Sequence, residues 1–144
     1  MNINESLSEW VAHRIPSYAS LTGLTVMTMG QDDDITLPFL GIYETGASIR
    51  ETEGVTMYGV SDFTIGIDLQ TVPAAADQDG TTQATEQQMR RDLYDILGDR
   101  LAIDWISERN WWRVFDIRQA SPTTEADEER RITKWILTVT ACPI

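Results

Sequence analysis

His13 is the only histidine of the chain and Cys142 its only cysteine, so chemistry that needs an imidazole base or a thiolate has one residue of each to draw on. A nucleophile also needs an activating base that is itself held by a third group. No G-x-S-x-G elbow, phosphate-cradling glycine loop or H-E-x-x-H helix accompanies either residue. His13 falls on a helical segment, where a single imidazole reads as a solvated or capping side chain. Cys142, near the end of the last strand, reads as a small apolar filler rather than a nucleophile. A lone cysteine excludes a disulfide framework and a cysteine-rich zinc site within one chain and suits folding in a reducing compartment.

Carboxylates are abundant, but none is singled out as half of an acid–base pair. Asp32, Asp33 and Asp34 form a run that a hard divalent cation could use. The run lacks the alternate spacing, the glycine and the distal Glu of a calcium loop, so a solvated turn is the expectation. Asp127, Glu128 and Glu129 are read as a charged hairpin tip that blunts edge pairing. The expectation is therefore a protein that is not an enzyme, with no catalytic residue, no metal ion and no cofactor.

Five tryptophans carry the remaining chemistry. Trp10 and Trp135 lie on faces that read as core. Trp111 and Trp112 are adjacent, so in a strand they point to opposite sides, and one of them must meet a second layer or a partner. An interface anchor is the favoured role; stacking against a sugar is the alternative.

The elements that position these residues are legible from periodicity. Asn2 with Glu5 suits a capping-box start, Ile3, Leu7, Trp10, Val11 and Ile15 share a helical face, and Pro16 stops that helix. Leu24–Met29 and Leu37–Tyr43 read as short strands, with Pro38 where a missing N–H is tolerated. Glu44–Gly59 carries no strong period and is read as a long polar loop. Phe63, Ile65, Ile67 and Leu69 then alternate with polar residues from Asp62 to Gln70, the period of a half-buried strand, extending to about Val72. Pro73–Gly80 is a small polar linker. The second helix is expected to start between Thr82 and Thr85, with Thr85 and Gln88 as a capping box, Met89, Leu93, Ile96 and Leu97 as its apolar stripe, and Gly98 as its cap. Leu101–Ile106 adds a helical turn, Trp111–Ala120 a strand, Ser121–Glu129 an acidic turn and Arg131–Ala141 a last strand. The expected fold is α+β, in the order α-β-β-β-α-β-β: one domain over residues 1–144, with a mostly antiparallel sheet and the helices packed on one face.

Bulk properties narrow the partners. The formal net charge is −12, which argues against gripping nucleic acid by its phosphates. Residues 1–89 hold two positive charges and thirteen acids, whereas residues 90–144 hold nine and ten; ten of the eleven cations are Arg. Arg makes fixed, forked contacts and is favoured at interfaces, although an ordinary acidic surface accounts for the same counts. No apolar run approaches the ~20 residues of a membrane span, and MNINESLSEW lacks the order of a signal peptide.

The succession of a helical N-terminus, a strand, "LPFLGIYETG", a long connection, the alternating "SDFTIGIDLQTV", a helix and a C-terminal hairpin resembles the tail-terminator (tail-completion) proteins of long-tailed bacteriophages, the group that includes the lambda-like terminators. The likeness spans about residues 3–141 and rests on pattern and order, with Leu37–Pro38 and the strand-to-helix passage its most characteristic pieces. The Glu44–Gly59 loop and the Asp32–Asp34 run depart from the pattern. The resemblance implies a structural virion protein made in the host cytoplasm and placed at the tail–neck junction. It implies a homohexameric ring that caps the tail tube, ends tail polymerisation and meets a neck or head-completion protein, with DNA passing through the lumen without specific binding. In such a ring Arg90, Arg91, Arg113, Arg118, Trp111 and Trp112 are the expected interface residues, and Asp62 and Asp68 are expected to face the lumen or a neighbouring subunit. Another neck component (a head-completion or stopper protein) and a small carbohydrate- or ligand-binding module are the alternatives.

Overall fold

The Asn2–Glu5 pairing opens the first helix: the Asn2 N–H donates to Glu5 Oε2 at 2.9 Å, and α1 runs Ile3–Arg14. Pro16 ends it by entering a 3-10 turn, Ile15–Ser17, and a second such turn spans Ala19–Leu21. There follow β1 (Thr25–Met27), β2 (Phe39–Thr52), β3 (Val55–Thr71), α2 (Thr81–Gly98), α3 (Leu101–Glu108), β4 (Trp112–Gln119), β5 (Thr123–Ala126) and β6 (Arg131–Pro143). The computed structural model describes residues 2–28, 38–52, 55–71, 81–109, 111–126 and 131–143. Asp32–Asp34, Pro73–Gly80 and Asp127–Glu129 lie outside the described residues.

The strands form one mixed sheet in the order β1-β2-β3-β6-β4, with β5 paired to β6 beyond β4. Among the described residues only β1 and β2 are parallel; the other pairings are antiparallel. The register explains the core. Leu40 faces Leu69 and Ile42 faces Ile67, while Ile67 faces Trp135 and Ile65 faces Leu137, so one face of the sheet is continuously apolar. Ile3, Leu7, Trp10 and Val11 of α1, Met89, Leu93, Ile96 and Leu97 of α2, and Ala102 and Ile106 of α3 join that cluster. All three helices therefore cover the same face of an α+β fold.

Four expectations need correction, the simplest being that Ser121–Glu129 is not all turn, since Thr123–Ala126 is a strand paired to β6; the other three follow. Glu44–Thr52 and Val55–Gly59 are strand, not loop: the β2–β3 ladder continues through Ser48↔Asp62 and Ile49↔Ser61 to Thr52↔Val55. Residues 44–49 are exposed, so both faces are wet there and no alternation betrays the strand. The ladder is also irregular, since β3 takes five steps from Ser61 to Thr56 while β2 takes two from Ile49 to Glu51. Gly59, at φ +79°, occupies the left-handed conformation that such a bulge requires. Secondly, α2 begins at Thr81, which places Thr85 one turn inside the helix rather than at its cap. Thirdly, Gly98 is the last residue of α2 and not a left-handed cap. The chain turns through Asp99, whose Oδ1 accepts the Leu101 N–H at 2.9 Å and whose backbone oxygen accepts the Ala102 N–H at 3.0 Å.

Candidate assembly surfaces

Among the described residues the second face of the sheet has no helix on it. Across its middle β6 presents Lys134, Ile136, Thr138 and Thr140, β3 presents Asp62, Thr64, Gly66 and Asp68, and β2 presents Gly41 and Tyr43, as the register dictates. Asp62 accepts a hydrogen bond from Thr140 Oγ1 at 2.5 Å and is half-buried. Asp68 corrects the expectation of a lumen- or neighbour-facing acid: it is only 6% exposed. The reason is Tyr43, whose hydroxyl donates to Asp68 Oδ1 at 3.0 Å and whose ring lies flat over Gly66. A Cβ at Gly66 would sit 2.5 Å from the Tyr43 ring, so only glycine allows this cover. Tyr43, Thr45, Asp68, Lys134 and Ile136 help line a cleft of about 300 Å³.

Electrostatics follow from that burial. Desolvation pushes the Asp68 carboxyl up from the usual carboxylate range, against the opposing pull of the Tyr43 hydrogen bond and the Lys134 charge. Desolvation likewise pushes the Tyr43 hydroxyl up to about 12, and the Asp68 charge adds to it. Free tyrosine titrates near 10, so the fold favours neutral Tyr43. Its contribution to stability is complete below about pH 10 and is lost as pH rises toward about 12. Denaturant unfolding between about pH 9 and 12 should therefore show a loss of stability in the native protein that is reduced in Tyr43→Phe. Equal pH slopes for the two proteins would refute the linkage.

The expected interface arginines occupy two places. On β4, Arg113 stands opposite Cys142 and is exposed. Arg118 Nε lies 3.3 Å from Asp116 Oδ2, while Asp116 Oδ1 accepts from Arg100 Nη1 at 2.8 Å. Such exposed pairs contribute ~0–1 kcal/mol each, so they shape the surface more than they hold the fold. On α2, Arg90 Nη1 donates to Thr124 Oγ1 at 3.3 Å and Arg91 is exposed. With Tyr94, Asp95 and Pro122 they line an open cleft of about 290 Å³.

Trp112 packs edge-on against Phe63, with ring centroids 5.3 Å apart, and both rings join the margin of the core. Trp111 precedes β4 and is also half-buried. Cys142 is free and partly buried. Trp10 and Trp135 are buried at 2% exposure each, where the helical and strand periods place them.

A cluster that spacing alone does not reveal joins α1 to α3. Trp105 lies 5.6 Å from the Trp10 ring, His13 stacks on it at 5.1 Å, and the Arg109 guanidinium sits 3.8 Å from its centroid. Arg14 lies 5.1 Å from the Trp10 centroid and pairs with Asp99 at 2.5 Å. The Leu101 N–H and Arg14 together hold the Asp99 carboxyl below the usual range, and the Asp99 hydrogen bond raises the Arg14 guanidinium. The signals in the sequence were the i, i+3, i+4 spacing of Trp10, His13 and Arg14 and the i, i+4 spacing of Trp105 and Arg109. Each marks one helix face; only the tertiary fold makes the faces meet.

Among the described residues no helix is long and apolar enough to cross a membrane, and no three His, Cys, Asp or Glu side chains converge as a metal site would need. In comparison with known proteins, no family model matches the chain, and a search of curated proteins finds no match.

Proposed function

We propose that the protein is a structural component of a phage virion, a tail terminator that assembles as a ring, most simply a hexamer, on the end of the tail tube. The ring stops tube polymerisation and offers its other face to a neck or head-completion protein, and DNA passes through it without specific contacts. The observation that carries this reading is the β2–β3 arm. The last rung of β3 with β6 is Ser61↔Ala141, yet β2 and β3 go on together to Thr52↔Val55. Among the described residues the outer edge of β2 is paired only at Phe39–Gly41, and Ile49 on the arm is 65% exposed. A two-stranded arm buries too little to be stable by itself, and its open edge is a template for pairing. Packing against a neighbouring subunit satisfies both needs. Rings require two unlike patches on each subunit, which the acid-rich first part and the Arg-bearing second part supply. Acids near the lumen, Asp62 among them, would keep DNA phosphates from sticking.

Light scattering of the purified protein together with electron microscopy of isolated tails tests the proposal. The expected result is a closed ring in solution or at the tail–neck junction. A persistent monomer missing from that junction would overturn it, and density one layer farther toward the capsid would reassign the protein as a stopper or head-completion component.

A further inference from the structure

Two helical surfaces of this chain carry an excess of opposite charge beside an exposed apolar group, the α2 side setting Arg90 and Arg91 against the single acid Asp95 that lines the same cleft. On α2, Arg90, Arg91 and Tyr94 share one side of the helix at i, i+4 and i+1, i+4 spacing. Arg90 is held by Thr124, Tyr94 is 38% exposed, and among the described residues neither guanidinium has a carboxylate partner. On α3, Leu101, Asp104 and Glu108 fall at i, i+3, i+7. Leu101 is 61% exposed, both acids are exposed, and among the described residues neither has a cation partner. These three border a groove of about 330 Å³ against α1. The cations around that groove are engaged elsewhere: Arg14 with Asp99 and Arg109 over the Trp105 ring, while His13 stacks on the same indole. Like charges one turn apart, as at Asp104 and Glu108, destabilise a helix unless something answers them.

We infer that these two surfaces are the two halves of one joint: Arg90 and Arg91 of one copy meet Asp104 and Glu108 of the next, with Tyr94 and Leu101 packed between the charges. The occupant is a second copy of this chain because the α2 patch, where Asp95 offsets one of two guanidinium charges, and the acidic α3 patch carry excess charge of opposite sign. The patches are distinct, one bounded by Pro122 and the other by α1, so both can be engaged at once. That makes the contact heterologous and lets it propagate around a closed ring. The inference rests on the ring reading above and assigns its contact residues. Charged joints of this kind also fix register and partner choice.

Charge reversal tests it. Arg90→Glu/Arg91→Glu, which places acid against acid, and Asp104→Arg/Glu108→Arg, which places base against base, should each weaken self-association by about tenfold or more. A one-to-one mixture of the two variants restores both kinds of contact in alternation and should recover assemblies of the native size, read by light scattering or sedimentation. Far-UV circular dichroism verifies that each variant is folded. Because Arg90 is partly buried, Arg91→Glu with Glu108→Arg provides a second pair made only at exposed positions. If the native protein assembles and both reversed variants assemble equally well, the joint is wrong and the ring stands. If the native protein is monomeric at every concentration, the ring itself falls. Loss in each variant without recovery on mixing would show that the two patches do not face each other.

Discussion

Trp10→Ala is expected to lower stability by about 3–5 kcal/mol, the range for deleting a buried aromatic side chain. The indole is only 2% exposed and lies where α1, α2 and α3 converge. Three losses coincide. Its apolar surface leaves the core, and the cavity under Trp105 cannot close without moving α3. Its N–H, which donates to the Ile96 oxygen at 2.9 Å, is removed from a carbonyl in the last turn of α2, where the helix cannot satisfy its own acceptors; the other donor to that oxygen, the Asp99 N–H, is at 3.4 Å. Finally, Arg14 loses the ring beneath it. Trp10→Phe separates these terms, since it retains much of the apolar surface but not the hydrogen bond, and should cost about 1–3 kcal/mol. Equilibrium denaturation of the monomeric unit measures both. A loss below about 1 kcal/mol for Trp10→Ala would mean that the three-helix junction is not a principal support of the fold.

That junction shows where sequence reading succeeds and where it stops. The α1 and α2 stripes were legible because each helix buries one face, and a single buried face writes a period of 3.6 into the chain. The strand at Asp62–Gln70 was legible for the same reason with a period of 2. The β2–β3 arm was not, because a strand wet on both sides has no periodicity to write. Asp68 misled for a different reason: an acid at a polar position of an alternating strand looks solvated. Its burial depends on Tyr43, which stands 25 residues away in the chain and reaches it only once β2 and β3 adopt their register. Arg90 and Arg91 belong to the Arg-bearing second part of the chain and line an open cleft. The acids proposed to meet them, Asp104 and Glu108, look ordinary in the sequence, which does not show that the neighbouring cations Arg14 and Arg109 are occupied. Local order is written locally; burial of polar groups and the matching of patches are properties of pairings.

Glu86 is the second site where one substitution should have a large effect, and it lies at the opposite end of the helical layer from Trp10. It is 2% exposed and tethers the early part of α2 to β6. Its Oε1 accepts the Thr133 hydroxyl at 3.1 Å, and its Oε2 lies 3.8 Å from Arg131 Nη2. Thr133, itself 1% exposed, is also within 3.1 Å of Thr124 Oγ1, the hydroxyl that receives Arg90. Glu86→Ala strips the acceptor from Thr133 and leaves the Arg131 charge, whose side chain is 16% exposed, without its counter-ion. Removing one member of a buried pair costs ~3–5 kcal/mol, and the residual exposure of Arg131 lowers the expectation to about 2–4 kcal/mol. Replacing both, with Glu86→Leu and Arg131→Met, removes the stranded charge along with its partner and should return stability to within about 1–2 kcal/mol of the native protein. The contrast between single and double variants is the diagnostic. If the double variant is as unstable as Glu86→Ala, the damage comes from lost packing between α2 and β6 rather than from an uncompensated charge. If Glu86→Ala is nearly neutral, the α2–β6 tether is not a support of the fold, and the placement of Arg90 above Thr124 must depend on the strands alone.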